Sequence, residues 1–219
     1  MKKYLFAMLT LVSLTAAAQG KFDIQNFDGY TVHVYQPSDS NAESSLIIES
    51  RSGLVVLGAS QDASFKEYLE KFTKPVAQTV DANAPLGTIQ NWNGVDLAFN
   101  MSTYGSDNAD VIVGRNLYFV HDLPTMAHAS SKVIGKAEDI DAQLNAAAVL
   151  LNSGCSKFVD EQGRVSDTAL PRFLQKYYNT MKKAYKKASD ANAFVSAIEK
   201  AFPKIEGKED LRQVAQKLY

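Results

Sequence analysis

His33, His121 and His128 are the only imidazoles in this 219-residue chain, and Cys155 is its only thiol. One local cluster has residue types that could do chemistry, His121-Asp122 followed by His128. Imidazole and carboxylate are zinc ligands, and a hydrolytic zinc centre needs about three protein donors to hold the ion and bring the pKa of its bound water towards 7. Asp81 is a further carboxylate that could join them. The same residues also suit a strand end and a surface loop. Cys155 is read as a buried small hydrophobe rather than a nucleophile, because a lone exposed thiol is a liability in an oxidising compartment. The sequence contains no P-loop, G-x-G-x-x-G, G-x-S-x-G or C-x-x-C motif. Their mechanisms (phosphate cradling, a nucleophile elbow, dithiol exchange) are therefore not on offer.

An oxidising compartment is expected from residues 1–18, which read as a secretory signal peptide. Lys2 and Lys3 form a basic start, Leu5 to Leu14 an apolar run, and Ala16-Ala17-Ala18 a small-residue cleavage site that leaves Gln19 first. The apolar run is shorter than the ~20 residues of a spanning helix, so no membrane association is expected after cleavage. The expected location is periplasmic or extracellular. Removing Lys2 and Lys3 takes the formal charge from −1 to −3, a balance that argues against a nucleic-acid partner, which needs a concentrated basic face. No repeat, low-complexity stretch or linker interrupts residues 19–219, which read as one domain.

The elements that must position any site come in two halves. Tyr30–Tyr35 alternates at period two, and Ser45–Glu49 and Leu54–Leu57 flank the turn Ser50-Arg-Ser-Gly53 as a hairpin. Asp62 can cap a helix whose apolar residues are Phe65, Tyr68, Leu69 and Phe72, ended by Pro75. Val76–Val80 then reads as a strand, completing a strand–helix–strand unit that favours a parallel crossover. Val95–Met101 alternates again, and Asp110–Val113 and Leu117–Val120 are joined by Gly114-Arg-Asn116. From Ile140 the period becomes helical: first Ile140 to Leu151, then a long stripe from Leu170 to Tyr185 with Arg172, Lys176, Lys182, Lys183, Lys186 and Lys187 on its other face. Residues 190–219 read as two shorter amphipathic helices.

This order of elements resembles the metallo-β-lactamase fold, an α+β (αββα) sandwich of two mixed sheets with helices on both outer faces. Ser45–Leu57 resembles its opening hairpin. The helix through Phe72 with Lys74–Thr79 resembles the approach to its H-x-H-x-D-H metal loop, and Asn116–Asp122 the strand that ends in a metal-bridging aspartate. Lys157-Phe-Val-Asp-Glu-Gln-Gly163 resembles the strand carrying its P-G-H-G turn.

The departures fall on the ligands. On this alignment Val80, Ala82 and Pro85 occupy the histidine places and Ala84 the aspartate place. Gly58 or Ala59 stands where an acidic residue follows the hairpin, and Gln162 stands where P-G-H-G has its histidine. Only Asp122 keeps a ligand type. The resemblance therefore implies a reduced, non-catalytic relative, a pseudoenzyme with no cofactor that binds an unidentified ligand or protein partner. The alternatives are a zinc-dependent hydrolase with an atypical site at Asp122, His121, His128 and Asp81, and a plain interaction module that docks a partner through the lysine-faced C-terminal helices. Trp92 and Gln162 are candidate cleft residues; packing at a turn is the other reading of Trp92.

Overall fold

A computed structural model describes residues 20–39, 41–80 and 86–219. The expected signal peptide, Asp81, Ala82, Ala84 and Pro85 lie outside the described residues. Strands β1 (Lys21–Phe27), β2 (Tyr30–Gln36), β3 (Ser45–Ser50), β4 (Leu54–Leu57) and β5 (Val76–Val80) form one sheet in sequential order. Helix α1 (Ala63–Leu69) is the crossover between β4 and β5, which pair in parallel as the strand–helix–strand pattern requires. The second sheet has the order β11-β10-β9-β8-β7-β6. Its strands are β6 (Thr88–Trp92), β7 (Val95–Asn100), β8 (Asp110–Val113), β9 (Leu117–Val120), β10 (Lys157–Asp160) and β11 (Val165–Asp167). Helix α2 (Ala137–Asn152) is the crossover between the parallel strands β9 and β10. Helices α3 (Ala169–Lys187), α4 (Ala191–Ala201) and α5 (Lys208–Leu218) follow β11.

Side-chain alternation sorts these elements into four layers. Val32, Val34, Leu46 and Ile48 of the first sheet meet Leu97, Phe99, Val111 and Phe119 of the second in the inter-sheet core. Their strand neighbours point outward. Tyr35, Ile47 and Val56 receive Phe65 of α1, while Tyr118, Val120 and Phe158 receive the helical layer through Leu150, Leu174 and Met181. Both faces of the central strands are thus covered, which is why Leu46-Ile-Ile48 and Leu54–Leu57 read as continuous apolar runs. The sandwich of two mixed sheets with helices outside each, and a helical C-terminal region, is as the sequence led us to expect.

Three strands lay hidden in the sequence. β1, β6 and β11 are all terminal or edge strands, and KFDIQNF and TIQNW carry too few apolar residues to mark a buried face. Trp92 ends β6 and turns into β7 through Asn93 (φ 52) and Gly94 (φ 85), a two-residue Asn-Gly hairpin. Asp62 stands at the start of α1 without capping it by a side-chain hydrogen bond. Its carboxylate instead accepts from the Tyr35 hydroxyl at 2.8 Å. Asp190 does cap α4, accepting from the Ala193 amide at 2.9 Å.

Candidate functional site

Parallel strands β4 and β5 end side by side, with the Gly58 amide donating to the Val80 carbonyl at 3.1 Å. At that end an open cleft of about 610 Å³ is lined by residues 42–45, 58–62 and 79–80. Gly58 takes a left-handed φ of 64 to turn the chain out of β4. The Ser60 amide then donates to Ser45 Oγ at 2.9 Å, fixing the cleft's floor.

The second sheet reaches this end through the turn between β10 and β11. Asp160, almost wholly buried, accepts the amides of Gln162 (3.0 Å) and Arg164 (2.8 Å) and pairs with the Arg164 guanidinium. Gly163 is left-handed, and a Cβ there would lie 2.5 Å from the Tyr35 carbonyl oxygen. No side chain other than hydrogen fits this contact. The Gln36 carboxamide donates to the Gly163 carbonyl at 2.7 Å, and the Ser44 amide donates to the Glu161 carbonyl at 2.7 Å. The turn thus closes one side of the strand ends. Asp122 follows β9 here, exposed, at a φ of 55, and its amide donates to Glu161 Oε2 at 2.9 Å. Positive φ on a non-glycine residue is uncommon and is held here by that bond.

The candidate ligands do not converge. His121 is buried at 4% exposure, edge-on to Phe119, with Nδ1 3.5 Å from Asp110 Oδ1. That separation lacks hydrogen-bond geometry, and the buried Nδ1 has no hydrogen-bond partner. His128 sits in the helical layer instead, with Nδ1 3.1 Å from the Tyr177 hydroxyl. That hydroxyl also accepts the Ala129 amide at 3.1 Å, and the buried His128 Nε2 has no hydrogen-bond partner. Burial holds the His128 pKa below its ordinary value; Glu199 and Asp210 favour the charged ring and Lys208 opposes it. One histidine faces the inter-sheet side and the other the helices, so Asp122, His121 and His128 are not one site.

The possible cleft residues are placed apart as well. Gln162 bonds its own neighbours, donating to Glu161 Oε1 at 3.0 Å and accepting from Arg164 Nη2 at 2.6 Å. Trp92 pairs with Val95 at the start of β7, whereas the end of β7, Asn100, pairs with Asp110 beside His121. The indole is therefore at the opposite end of the sheet from Asp122, packed against the inter-sheet core. Cys155 is buried in the helical core, as its reading as a small hydrophobe requires, and burial pushes its thiol pKa up.

Zinc, which the fold suggests, does not fit the donors in the strand-end cleft. Val80, Gly58 and Ala59 offer no ligand side chain. Among the described residues the lining carboxylates are Glu43 and Asp62, and Asp62 is occupied by the Tyr35 hydroxyl. Among the described residues no three His, Cys, Asp or Glu side chains are grouped to hold a metal ion. The hydroxyls and amides that remain suit hydrogen bonding rather than Lewis-acid chemistry. Sequence reasoning missed the two features that shape this end, the Tyr35–Asp62 bond and the glycine contact at Gly163. The only signal for the second was a lone glycine in a short turn.

No family model matches the sequence, and no curated protein matches it. Solved structures do. The metallo-β-lactamase FIM-1 from Pseudomonas aeruginosa, in its mono-zinc form, superposes with a TM-score of 0.50 at 12% identity, covering 75% of this chain and 97% of its own. A metallo-β-lactamase from Hirschia baltica gives a TM-score of 0.47 at 13% identity, over 73% of this chain and 97% of its own. Identity this low speaks to architecture alone, and the architecture of this chain is the metallo-β-lactamase fold.

Proposed function

We propose that this protein is an exported, non-catalytic domain of the metallo-β-lactamase fold with a binding or accessory role. The observation that carries the reading is the composition of the strand-end cleft. Where a zinc enzyme needs converging imidazoles, Val80 presents hydrocarbon and Gly58 and Ala59 present none of the required donors, while Gln162, outside the lining, is tied to Glu161 and Arg164. About three protein ligands are needed to generate hydroxide on zinc near neutral pH, and this donor set does not supply them. Export rests on the N-terminal pattern of residues 1–18. Among the described residues no helix is long and apolar enough to cross a membrane.

The test has two arms. Purified protein is incubated with zinc, dialysed and analysed for metal; substoichiometric zinc is the expected result, and one or two equivalents retained would overturn the non-catalytic reading. Separately, the protein recovered from the cell exterior or periplasm is sequenced from its amino terminus. Export with cleavage gives Gln19 first, and an intact Met1 in a cytoplasmic fraction would refute it.

A further inference from the structure

We infer that the outer face of the six-stranded sheet carries a binding site for an uncharged sugar ring, separate from the strand-end cleft. Helix α2 covers the sheet over β9 and β10 but ends at Asn152, leaving part of β8 open. A cleft of about 540 Å³ lies there, between residues 100–103 and the last turn of α2. That is within the ~300–1,000 Å³ typical of small-molecule sites.

The lining decides the ligand class. Ile112 and Tyr118, register partners on β8 and β9, form the floor. Met101 and Val149 form the walls at 77% and 50% exposure, and no large hydrophobic among the described residues is more exposed than Met101. Between them stand the carboxamides of Asn100 and Asn152 and the hydroxyls of the 102–103 segment. Among the described residues no charged side chain lines the cleft. A charged ligand would lose hydration without gaining a counter-charge, and a purely apolar one would cover the exposed Asn152 carboxamide without offering it a partner, while the Asn100 carboxamide already donates to the Ala98 carbonyl at 3.3 Å. A pyranose satisfies both demands. Its C–H face lies on Met101, Ile112 and Val149, and its hydroxyls both give to and take from carboxamides, which carry donors and acceptors.

Part of the rim is held by hydrogen bonds within the protein. Asp110, with 0% exposure, spends its carboxylate on the Thr103 amide (2.6 Å) and the His121 amide (2.9 Å). Ser102 Oγ accepts the amides of Tyr104 (3.3 Å) and Ser106 (2.9 Å). Thr103 Oγ1 lies 3.2 Å from the Tyr118 hydroxyl. A preorganised rim lowers the ordering cost of binding.

Saturation-transfer NMR tests the site, with N-acetylglucosamine and glucose as neutral probes and glucuronate as the charged one. Saturable transfer to ring C–H protons of a neutral sugar is expected, weakened about tenfold or more by Met101→Asp and by Asn152→Ala. Both side chains are exposed, and unchanged melting of the variants shows that they still fold. No saturable transfer from either neutral sugar, transfer that survives both substitutions, or glucuronate binding as well as the neutral probes would each overturn the proposal.

Discussion

At the scale of single residues, the chain's polar side chains are engaged in holding turns together. Asp160 binds two amides and one guanidinium from inside the protein. Replacing it with Ala strands those donors, and we expect a loss of about 2–4 kcal/mol in urea-unfolding free energy. Gly163→Ala meets both a left-handed φ and the Tyr35 carbonyl. Gly105 shares the φ, at 86, but has nothing within 4 Å of a built Cβ. Gly105→Ala should therefore cost about 1 kcal/mol and Gly163→Ala clearly more in the same assay. His128 gives a pH dependence with a defined sign. Its folded pKa is depressed by burial from 6.5, so below that value the unfolded chain binds a proton the folded one resists. Stability then rises with pH through this window and is lost as pH falls. His33 shifts the same way, because burial outweighs its bond to Glu49. Thermal melts from about pH 7.5 down to about pH 5.5 should show a falling midpoint, and His128→Gln should remove part of the slope, leaving the share that belongs to His33.

At the scale of elements, legibility followed burial except at β5, whose residues are mostly exposed. The central strands and α3 were readable because a covered face writes a strong period into the sequence: Leu170, Leu174, Tyr177, Tyr178 and Met181 all reach the helical core. Met181→Ala, at a position with no exposure, should cost about 2–5 kcal/mol and lower the denaturation midpoint accordingly. The edge strands β1, β6 and β11 were not readable, since only part of their surface is covered and their pairing comes from backbone partners the sequence does not name; the edge strand β5 was read only because it follows the helix in a strand–helix–strand pattern. β6 is the instructive miss, because the Asn93-Gly94 turn signal was present but the strand before it held only Ile89 and Trp92 as large apolar residues. The short α1 shows the same limit from the helical side. Its stripe continues to Phe72, but the helix stops at Leu69, and Tyr68 and Phe72 pack on the sheet around His33.

At the scale of the whole molecule, the two sheets and the helical layer share strands: β9 and β10 contribute Phe119 and Val159 to one core and Tyr118 and Phe158 to the other. Unfolding should therefore be cooperative. Urea transitions followed by circular dichroism and by labelling of Cys155 should coincide, and labelling well before the loss of secondary structure would show the helical layer detaching first. The sequence by itself determined the order of the main elements, the layered fold they imply, and the residue types at positions 58–59, 80 and 162, because these are properties of pattern and identity. Only the tertiary structure decided that His121 and His128 face different cores, that Asp62 bonds Tyr35 rather than its own helix, and that an uncharged cleft opens where α2 ends. Those outcomes depend on which side chains distant segments bring within a few ångströms of one another, and spacing along a chain carries no record of that distance.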